Sequence, residues 1–399
     1  MIEPTIEPTI EQTIEQTIEP TTEPVSLYIH IPFCKSKCNY CDFLSFAHED
    51  DKIDEYITAL VAEIRSYHSL LRNNIVKSIF IGGGTPSVIE AKYIESIMKE
   101  IKENFNLEPT AEITIECNPG TISREKGTIY KILGINRISL GLQAVDNERL
   151  KHLGRIHTFE EFAQNFNMLR EIGYDNINVD LMFGLPNQTL GEWKETLKQV
   201  LILNPEHISV YGLLVEEDTP YYSQYQQKKW ELPDEEIERT MYWYANECLA
   251  QKGYEHYEIS NYSKKGFSCK HNKVYWTLGK YIGIGLGAAS YYDQIRMDNT
   301  RNIDQYMNAQ GDLNEIISNK APSTIIAQKE EFMFLGLRLM EGISKKDYLN
   351  KFNQKIEEQY GEVVFDLIKQ DLLIEEGDRL SLTNKGIDIS NYVLAKFIL

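Results

Sequence analysis

The stretch that decides the fold of this 399-residue chain reads Tyr28-Ile-His-Ile-Pro-Phe-Cys34-Lys-Ser-Lys-Cys38-Asn-Tyr-Cys41-Asp-Phe43. The apolar run 25–31 predicts a first strand, and the three cysteines follow directly after it. Their spacing is C-x3-C-x2-C, which places the thiols of Cys34, Cys38 and Cys41 in one loop. Three thiolates can hold three irons of a cubane iron–sulfur cluster and leave the fourth iron open for chemistry. Zinc is the alternative, although a structural zinc site normally takes a fourth protein ligand.

The composition is that of an ordinary globular protein, with 42% hydrophobic and 25% charged residues. No apolar run approaches the roughly 18–20 residues that span a bilayer, and the N-terminus lacks the features of a secretory signal. Six cysteines in so long a chain indicate a metal or catalytic cluster in a reducing compartment. We therefore expect a cytoplasmic protein without a transmembrane segment, and a peripheral contact with a membrane stays open. The net charge of −19 argues against a nucleic-acid partner.

Residues 1–24 form an acidic low-complexity repeat, MIEPTIEPTIEQTIEQTIEPTTEP, with six Glu and no Lys or Arg. One apolar residue in four cannot bury enough surface to offset the entropy of ordering. We expect a disordered tail without chemistry of its own.

From residue 25 onward, short apolar runs alternate with amphipathic segments. Strands are predicted over 25–31, 76–81, 112–116, 137–142, 176–182 and 207–212. Helices are predicted over 50–71, 89–104, 123–133, 159–172, 190–202 and 234–251. Six consecutive βα units predict a parallel sheet with helices outside it, either open or curled into a partial barrel.

The alternation ends near residue 253, which divides the chain into three parts after the tail. Residues 25–253 form the α/β core, and residues 254–325, rich in Tyr, Asn, Ser and Gly, form a connecting subdomain. Residues 326–399 return to a helical period and end in a hairpin over 372–382, as in a winged-helix module. This last part holds 10 Lys or Arg against 13 Asp or Glu, which favours a structural role over DNA binding.

Polar or glycine-rich residues follow all six predicted strands. The carboxyl ends of parallel strands meet at one edge of a sheet, so these residues describe one ligand mouth. The run Gly82–Thr85 offers bare backbone amides, and Glu116, Gln143 and Asp180 suit recognition of an amine or of ribose hydroxyls. Each of them taken alone could equally be an ordinary turn or capping residue.

These motifs resemble the radical S-adenosylmethionine (SAM) superfamily, whose C-x3-C-x2-C motif usually has an aromatic residue before the third cysteine, here Tyr40. The glycine run is similar to the motif that binds the methionine part of SAM. Further runs resemble one branch, which contains the oxygen-independent coproporphyrinogen III dehydrogenase (HemN) and the haem chaperones of the HemW group. These runs are 30–33, 141–143, 153–157, 180–186, 334–338 and 341–342.

The resemblance implies an α/β fold, a partial (β/α)6 barrel with a C-terminal helical, winged-helix-like module. It implies that Cys34, Cys38 and Cys41 ligate a [4Fe-4S] cluster and that SAM binds the open iron. In this superfamily the reduced cluster cleaves SAM to a 5′-deoxyadenosyl radical. The residues implied at the SAM site are Tyr28, Tyr40, Gly83, Gly84, Thr85, Glu116, Gln143, Arg155, Asp180 and Gly212.

Two departures separate the chain from the dehydrogenases and resemble the chaperone group. The dehydrogenase pattern has a fourth cysteine two residues after the third, where this chain has Phe43. The dehydrogenases also carry a structured segment ahead of the barrel, where this chain has the acidic repeat.

The run Cys269-Lys-His271-Asn-Lys-Val-Tyr275-Trp276 resembles the H-N-x-x-Y-W motif of the chaperone group. A neutral imidazole is a common axial ligand of haem iron, so His271 is the candidate haem ligand, with Tyr275 and Trp276 as orienting neighbours. Cys269 is the alternative ligand, and a purely structural histidine is the other reading.

We therefore expect a haem chaperone that binds haem, a [4Fe-4S] cluster and SAM, and delivers haem to haem-requiring proteins. The expected partners are a client protein and an electron donor, neither identified. The alternative function is oxidative decarboxylation of coproporphyrinogen III, and a structural metal protein without SAM is a third.

Overall fold

The computed structural model describes residues 23–398, so most of the predicted tail lies outside the described residues. Strand β1 begins at Glu23, two residues before its predicted start, and its first residues pair with Asn74 and Ile75. All six predicted strands are present and parallel. They are β1 (Glu23–Ile31), β2 (Asn74–Gly83), β3 (Asn106–Cys117), β4 (Arg137–Gln143), β5 (Ile177–Phe183) and β6 (His207–Gly212).

The six predicted helices are present as well, and they pack on the outer face of the sheet. Several begin at a side-chain cap; Thr158 and Thr189, for example, each form a capping box with a Glu three residues later. The helices are α1 (Ile53–Ser66), α2 (Ala91–Asn104), α3 (Arg124–Ile132), α4 (Phe159–Ile172), α5 (Leu190–Leu203) and α6 (Glu235–Gln251).

Residues 254–325 add strands to both edges of the same sheet. Two strands lie beside β6 and four beside β1, and the four begin with a strand parallel to β1. They are β7 (Glu255–Glu258), β8 (Asn261–Ser263), β9 (Tyr281–Ile284), β10 (Ala289–Tyr292), β11 (Ile295–Asn299) and β12 (Ile317–Pro322), with helix α7 (Lys270–Trp276) between β8 and β9. The strand order is β12-β11-β10-β9-β1-β2-β3-β4-β5-β6-β8-β7, that of an open twelve-stranded sheet. Residues of all six core strands line one interior cavity, so the sheet curls into a partial barrel.

The C-terminal part is a helical module with its own core and a small antiparallel sheet. The hairpin predicted over 372–382 is confirmed, with Gly377 in the left-handed region at its turn (φ 61°). Its elements are α8 (Ile325–Gly336), β13 (Ile343–Ser344), α9 (Lys345–Phe352), α10 (Ile356–Lys369), β14 (Leu373–Glu376) and β15 (Arg379–Leu382). Two short helices, Asn384–Asp388 and Ser390–Ala395, close the chain, and Trp243 of α6 donates a hydrogen bond to Asp388 at 2.6 Å.

The strands of the barrel alternate between two kinds of side chain. Their outer face is aliphatic and packs under the helices, as with Ile29, Ile79 and Ile115, all fully buried. Their inner face is polar, and residues such as Ser78, Arg137 and Asn178 are buried there too. Parallel strands covered on both faces are usually apolar throughout, so a polar inner face reserves the interior for polar groups.

Candidate functional site

The carboxyl ends of the strands surround one cavity of about 320 Å³, which we call the mouth cavity. All three cysteines of the C-x3-C-x2-C loop line it, and none forms a disulfide. Most of the SAM-site residues implied by the sequence line it too: Tyr40, Gly83, Gly84, Thr85, Glu116, Gln143, Arg155 and Asp180.

Two of the implied residues lie elsewhere. Tyr28 lines a second, deeper cavity, described below. Gly212 lies beside Phe183 and Glu238, since a Cβ placed on it would be 3.3 Å from the Phe183 ring and 3.2 Å from the Glu238 carboxylate. Its neighbour Tyr211 reaches the mouth cavity instead.

Backbone hydrogen bonds fix the cysteine loop against the glycine run. The amides of Gly84 and Thr85 donate to the carbonyls of Ile31 and Phe33, both at 2.8 Å. Within the loop, the Lys37 ammonium donates to the Phe43 carbonyl at 2.6 Å, which folds the chain back on itself. The loop therefore holds its shape through main-chain contacts.

The glycine run is needed because there is no room for side chains beside the cysteine loop. A Cβ on Gly84 would lie 2.7 Å from the Phe33 carbonyl oxygen and 3.0 Å from the Cys34 sulfur. A Cβ on Gly83, which has φ 115°, would lie 2.6 Å from the His30 ring. The bare backbone lets the glycine run pack closely against the loop and line the same cavity as the thiols.

A chain of polar contacts links two of the cysteines across the mouth cavity. The Cys34 sulfur lies 3.5 Å from the Thr85 hydroxyl, which accepts a hydrogen bond from the Asn118 amide at 2.8 Å. Arg155 donates to the Asn118 carbonyl oxygen at 2.6 Å and lies 3.7 Å from the Cys38 sulfur. Arg155 thus places a positive charge beside the Cys38 sulfur.

The fit of these residues to an iron–sulfur cluster rests on this donor set. Burial raises the pKa of the Cys34 and Cys41 thiols, so a bound metal has to supply the compensating positive charge. Among residues 23–398, no three His, Cys, Asp or Glu side chains are arranged to hold a single metal ion. Three thiols that line one cavity fit a multi-iron cluster with one open iron.

Two half-buried carboxyl groups, those of Glu116 and Asp180, form the inner wall of the mouth cavity. Glu116 accepts a hydrogen bond from the Gly83 amide at 3.1 Å, while Asp180 accepts from Ser139 at 3.1 Å and from Asn178 at 2.7 Å. Burial and then the nearby Asp180 charge raise the pKa of Glu116 to about 8. Burial raises the pKa of Asp180 as well. This pair of carboxyl groups suits a ligand that carries a cationic group or hydroxyl groups. The pair can share a proton with such a ligand or donate a hydrogen bond to it.

Gln143 has an unusual backbone at the end of β4. Its φ of 72° lies in the left-handed region, and the register between β4 and β5 shifts between Gly141 and Gln143. A non-glycine residue in this region is strained, and the shift directs the Gln143 side chain to the mouth cavity.

Below the mouth lies a second cavity of about 220 Å³, the inner cavity. Glu116, Ser139, Asp180 and Tyr211 line both cavities, so the two are neighbours. The other lining residues of the inner cavity are Tyr28, Phe80, Arg137, Asn178, Ser209, His271, Asn272 and Tyr275.

His271 is buried in the floor of the inner cavity, with 1% of its surface exposed. Its Nδ1 lies 2.9 Å from the Ser78 hydroxyl and its Nε2 lies 2.9 Å from the Tyr275 hydroxyl. Burial and then the Arg137 charge lower its pKa to about 3, so the imidazole is neutral.

One carboxylate attaches helix α7, which carries His271, to the barrel. Glu112 of β3 accepts hydrogen bonds from the amides of Lys270 and His271 at 3.1 and 3.0 Å, and lies 3.5 Å from the Cys269 sulfur. No side chain of α7 itself caps the helix. Glu112 therefore satisfies amides that would otherwise be unpaired in the interior.

Four further residues contribute to the site although no sequence motif singled them out: Asn118, Ser78, Glu112 and Arg137. Asn118 follows directly after Glu116 and Cys117, so its place after a strand end was visible in the sequence. The other three lie inside strands. Their signal in the sequence was a polar residue at every second position of a strand, alternating with apolar residues.

Comparisons with known proteins agree with this geometry. The family described as the radical SAM superfamily matches residues 28–200, and the HemN C-terminal domain matches residues 326–389. Curated relatives called heme chaperone HemW are 38% identical in Lactococcus lactis, 36% in Bacillus subtilis and 33% in Escherichia coli. Each match covers 94% of this chain and 97%, 99% and 98% of the respective relative.

Among solved structures, coproporphyrinogen III oxidase (HemN) from Escherichia coli, a radical SAM enzyme, matches with a TM-score of 0.83. The match covers 95% of this chain and 91% of HemN at 23% identity, and it supports the fold alone. Together with the sequence relatives, it establishes the fold predicted above. The chain belongs to the radical SAM superfamily, in its HemN/HemW branch, alongside the relatives called heme chaperone HemW.

Proposed function

We propose that this protein is a haem chaperone that binds haem, carries a [4Fe-4S] cluster with SAM, and passes haem to a client protein. The observation that carries the proposal is the match over 94% of the chain to relatives called heme chaperone HemW. The two polar cavities described above support it, because one is lined by the three cysteines and the other by the neutral His271.

Cys34, Cys38 and Cys41 are the proposed ligands of the cluster. When bound, the cluster and SAM supply one-electron chemistry that protein side chains lack. The protein's part is to orient the ligands and limit access of water. Arg155 contacts Cys38 and Thr85 contacts Cys34, and Asn118 links Arg155 to Thr85.

The remaining residues of the mouth cavity are proposed to bind SAM. The glycine run, with no side chains at Gly83 and Gly84, lets the methionine end of SAM approach the backbone closely, and the Glu116 carboxyl suits its ammonium group. Gln143 and Asp180 offer polar atoms to ribose hydroxyls. Tyr28 and Gly212 lie outside this cavity, so no contact with SAM is proposed for them.

His271 is the proposed haem ligand and Cys269 is less suited to that role. The Cys269 thiol lies against the Glu112 carboxylate at 3.5 Å, and burial raises its pKa to about 12. A thiol in that setting keeps its proton, whereas haem iron binds the thiolate. Neutral His271 already carries a lone pair and lies on the inner cavity.

Haem does not fit the inner cavity as it stands. Its 220 Å³ is below the ~300–1,000 Å³ of pockets that enclose drug-sized ligands. Binding at His271 therefore requires either entry of haem from the mouth cavity with widening of the wall between the cavities, or displacement of helix α7 from β2.

The alternative function, anaerobic oxidative decarboxylation of coproporphyrinogen III, is supported by the HemN-like fold. Phe43 argues against it, because it stands where the dehydrogenases have a fourth cysteine. The Phe43 side chain is 64% exposed at the rim of the mouth cavity.

The deciding experiment is anaerobic reconstitution of the cluster in the full chain, then haem titration and assays of SAM cleavage and coproporphyrinogen turnover on the same sample. The proposal predicts haem binding with a Soret band that weakens in His271→Ala. His68→Ala, which removes an exposed histidine, is the matched control. Turnover of coproporphyrinogen III would favour the alternative, and unchanged haem affinity in His271→Ala would overturn the ligand assignment.

The client protein and the electron donor are proposed partners without identity, and cytoplasmic location stays a prediction. Among residues 23–398, no helix combines the length and apolar content that crossing a bilayer requires.

A further inference from the structure

Arg137 is a buried cation without a hydrogen-bond partner. It lies on β4, lines the inner cavity and has only 2% of its surface exposed. Its Nε atom is buried and unpartnered, and within residues 23–398 no side chain or carbonyl forms a hydrogen bond or an ion pair with its guanidinium. Fully buried arginines are almost always paired, because an uncompensated charge in the interior is costly. The guanidinium therefore calls for a partner that the described chain does not supply.

The acidic side chains nearby do not fill this role, because their oxygens have other donors. Glu112 accepts from the amides of Lys270 and His271 at 3.1 and 3.0 Å. Asp180 accepts from Ser139 at 3.1 Å and from Asn178 at 2.7 Å. The charges of Glu112 and Asp180 favour the cation, but they leave the five N–H groups of Arg137 unsatisfied.

A second unpartnered polar group lies beside Arg137. Thr114 of β3 is its partner in the register of the sheet, is fully buried, and has a hydroxyl without a hydrogen bond. Paired residues of neighbouring strands point to the same face, so the hydroxyl lies next to the guanidinium. Two adjacent strands thus leave hydrogen-bonding capacity unused at one place in the barrel wall.

The inner cavity has opposite character at its two ends. Glu116 and Asp180 line the end that it shares with the mouth cavity, whereas Arg137 lines the inner cavity alone. Along β4, Arg137 is followed on the same face by Ser139, whose hydroxyl donates to Asp180 at 3.1 Å. Two residues of a strand span about 7 Å. The guanidinium and the two carboxyl groups are therefore separated by about the length of a small molecule.

We propose that the inner cavity binds a small carboxylate, whose carboxylate group pairs with Arg137 and whose other end carries an amino or hydroxyl group that faces Glu116 and Asp180. The planar fork of a guanidinium matches the two oxygens of a carboxylate. The cavity of about 220 Å³ has room for a molecule of a few carbons, since a water molecule takes up about 30 Å³ in the liquid.

This carboxylate site goes beyond the proposed function and does not depend on the identity of the haem ligand. It lies in the wall formed by β3, β4 and β5. The floor stays as it is, and His271 keeps its hydrogen bonds to Ser78 and Tyr275.

The first test is calorimetric titration of the reconstituted full chain, without SAM, with four three-carbon probes at constant ionic strength. 3-Hydroxypropionate and β-alanine carry a carboxylate at one end and a donor at the other, propionate lacks the donor, and propylamine lacks the carboxylate. We expect the first two to bind, propionate to bind about tenfold more weakly because it loses one hydrogen bond, and propylamine not to bind.

The second test repeats the titrations with variants at both ends of the site. Arg137→Lys keeps the charge but loses the planar fork, and we expect at least about tenfold weaker binding of 3-hydroxypropionate. Glu116→Gln should weaken the binding of β-alanine about tenfold and leave that of propionate unchanged. Arg124→Lys is the matched control, because Arg124 is an exposed arginine of α3 that pairs with Glu171.

The proposal is overturned if none of the three carboxylates binds, or if Arg137→Lys binds them as the wild type does; water alone then satisfies Arg137. Should Arg137→Lys fail to fold, the wild-type chain labelled with 15N-arginine decides. Addition of 3-hydroxypropionate should shift the Nε–H resonance of Arg137, and an unchanged resonance overturns the site. Haem binding by His271→Ala does not enter these measurements, so failure of the haem assignment and failure of the carboxylate site are distinguishable.

Discussion

At the mouth cavity the cysteines lie on a loop that main-chain hydrogen bonds hold in place, whereas at the floor His271 lies on a short helix held by one carboxylate, Glu112. The mouth is open and its thiols are free to take a cluster. The floor is closed, and both ring nitrogens of His271 have hydrogen-bond partners. The difference indicates that the mouth is prepared for a resident cofactor, while the floor has to change before it can take a ligand.

The largest effect that separates the two regions is expected from the cysteines. Replacing Cys38 by Ala removes one thiolate from the proposed cluster, and we expect iron content after reconstitution to fall by at least about tenfold. Haem binding at His271 should change little, because the floor does not contact Cys38. Cys248→Ala, on helix α6 away from both cavities, is the control. Full iron loading of Cys38→Ala would contradict the cluster assignment.

At the floor, the corresponding test is the replacement of Glu112. Glu112→Ala leaves the amides of Lys270 and His271 without a buried acceptor, and we expect a loss of about 3 kcal/mol in the free energy of unfolding. Urea denaturation measures this loss, and Glu112→Gln, which keeps one carbonyl oxygen, should lose less. Iron loading at the mouth should be unaffected. Equal stability of Glu112→Ala and wild type would show that α7 is held by other contacts.

The rigidity of the mouth can be tested at Gly84. Gly84→Ala places a Cβ 2.7 Å from the Phe33 carbonyl, so we expect a destabilisation of about 1–3 kcal/mol and weaker SAM binding. Gly191→Ala is the matched control, since the nearest atom to its Cβ would be at 3.8 Å. There alanine should stabilise helix α5 by up to about 1 kcal/mol. Thermal unfolding distinguishes the two, and equal melting temperatures would contradict the steric argument.

The contribution of Glu116, in the wall between the mouth cavity and the inner cavity, to the stability of the protein should depend on pH. The raised pKa of Glu116, about 8, means that the folded protein binds this proton more tightly than the unfolded chain. The contribution of this proton to the free energy of unfolding is therefore fully present below the ordinary carboxyl pKa. It is lost as the pH rises towards 8. In the cofactor-free protein, this group changes the free energy of unfolding by at most about 1.4 kcal/mol per pH unit.

Glu116→Gln should flatten this dependence between pH 5 and 8, as measured by urea denaturation at several pH values. Glu63, buried far from the site and with a pKa raised to about 7, contributes in the same direction, so Glu63→Gln is the comparison. An unchanged slope in Glu116→Gln would show that its proton is not linked to folding.

Much of the fold and of the mouth could be predicted from the sequence. The six strands and six helices of the core lie where the apolar period placed them, because each element buries one periodic face. The mouth residues were predictable because loops after parallel strands share one edge. Ser78, Glu112 and Arg137 were not found, because polar residues that alternate with apolar ones along a strand do not reveal which segment will pack against them.

The sequence by itself determined the βα order, the cysteine loop and the glycine run, since these depend on local spacing and on backbone geometry within a few residues. Only the tertiary structure decided that residues 254–325 extend the same sheet and that helix α7 forms the floor of the barrel interior. Only it could place Ser78, 193 residues away in the chain, against His271. The physical reason is that a hydrogen bond between distant segments depends on the packing of the whole sheet, which local spacing does not encode.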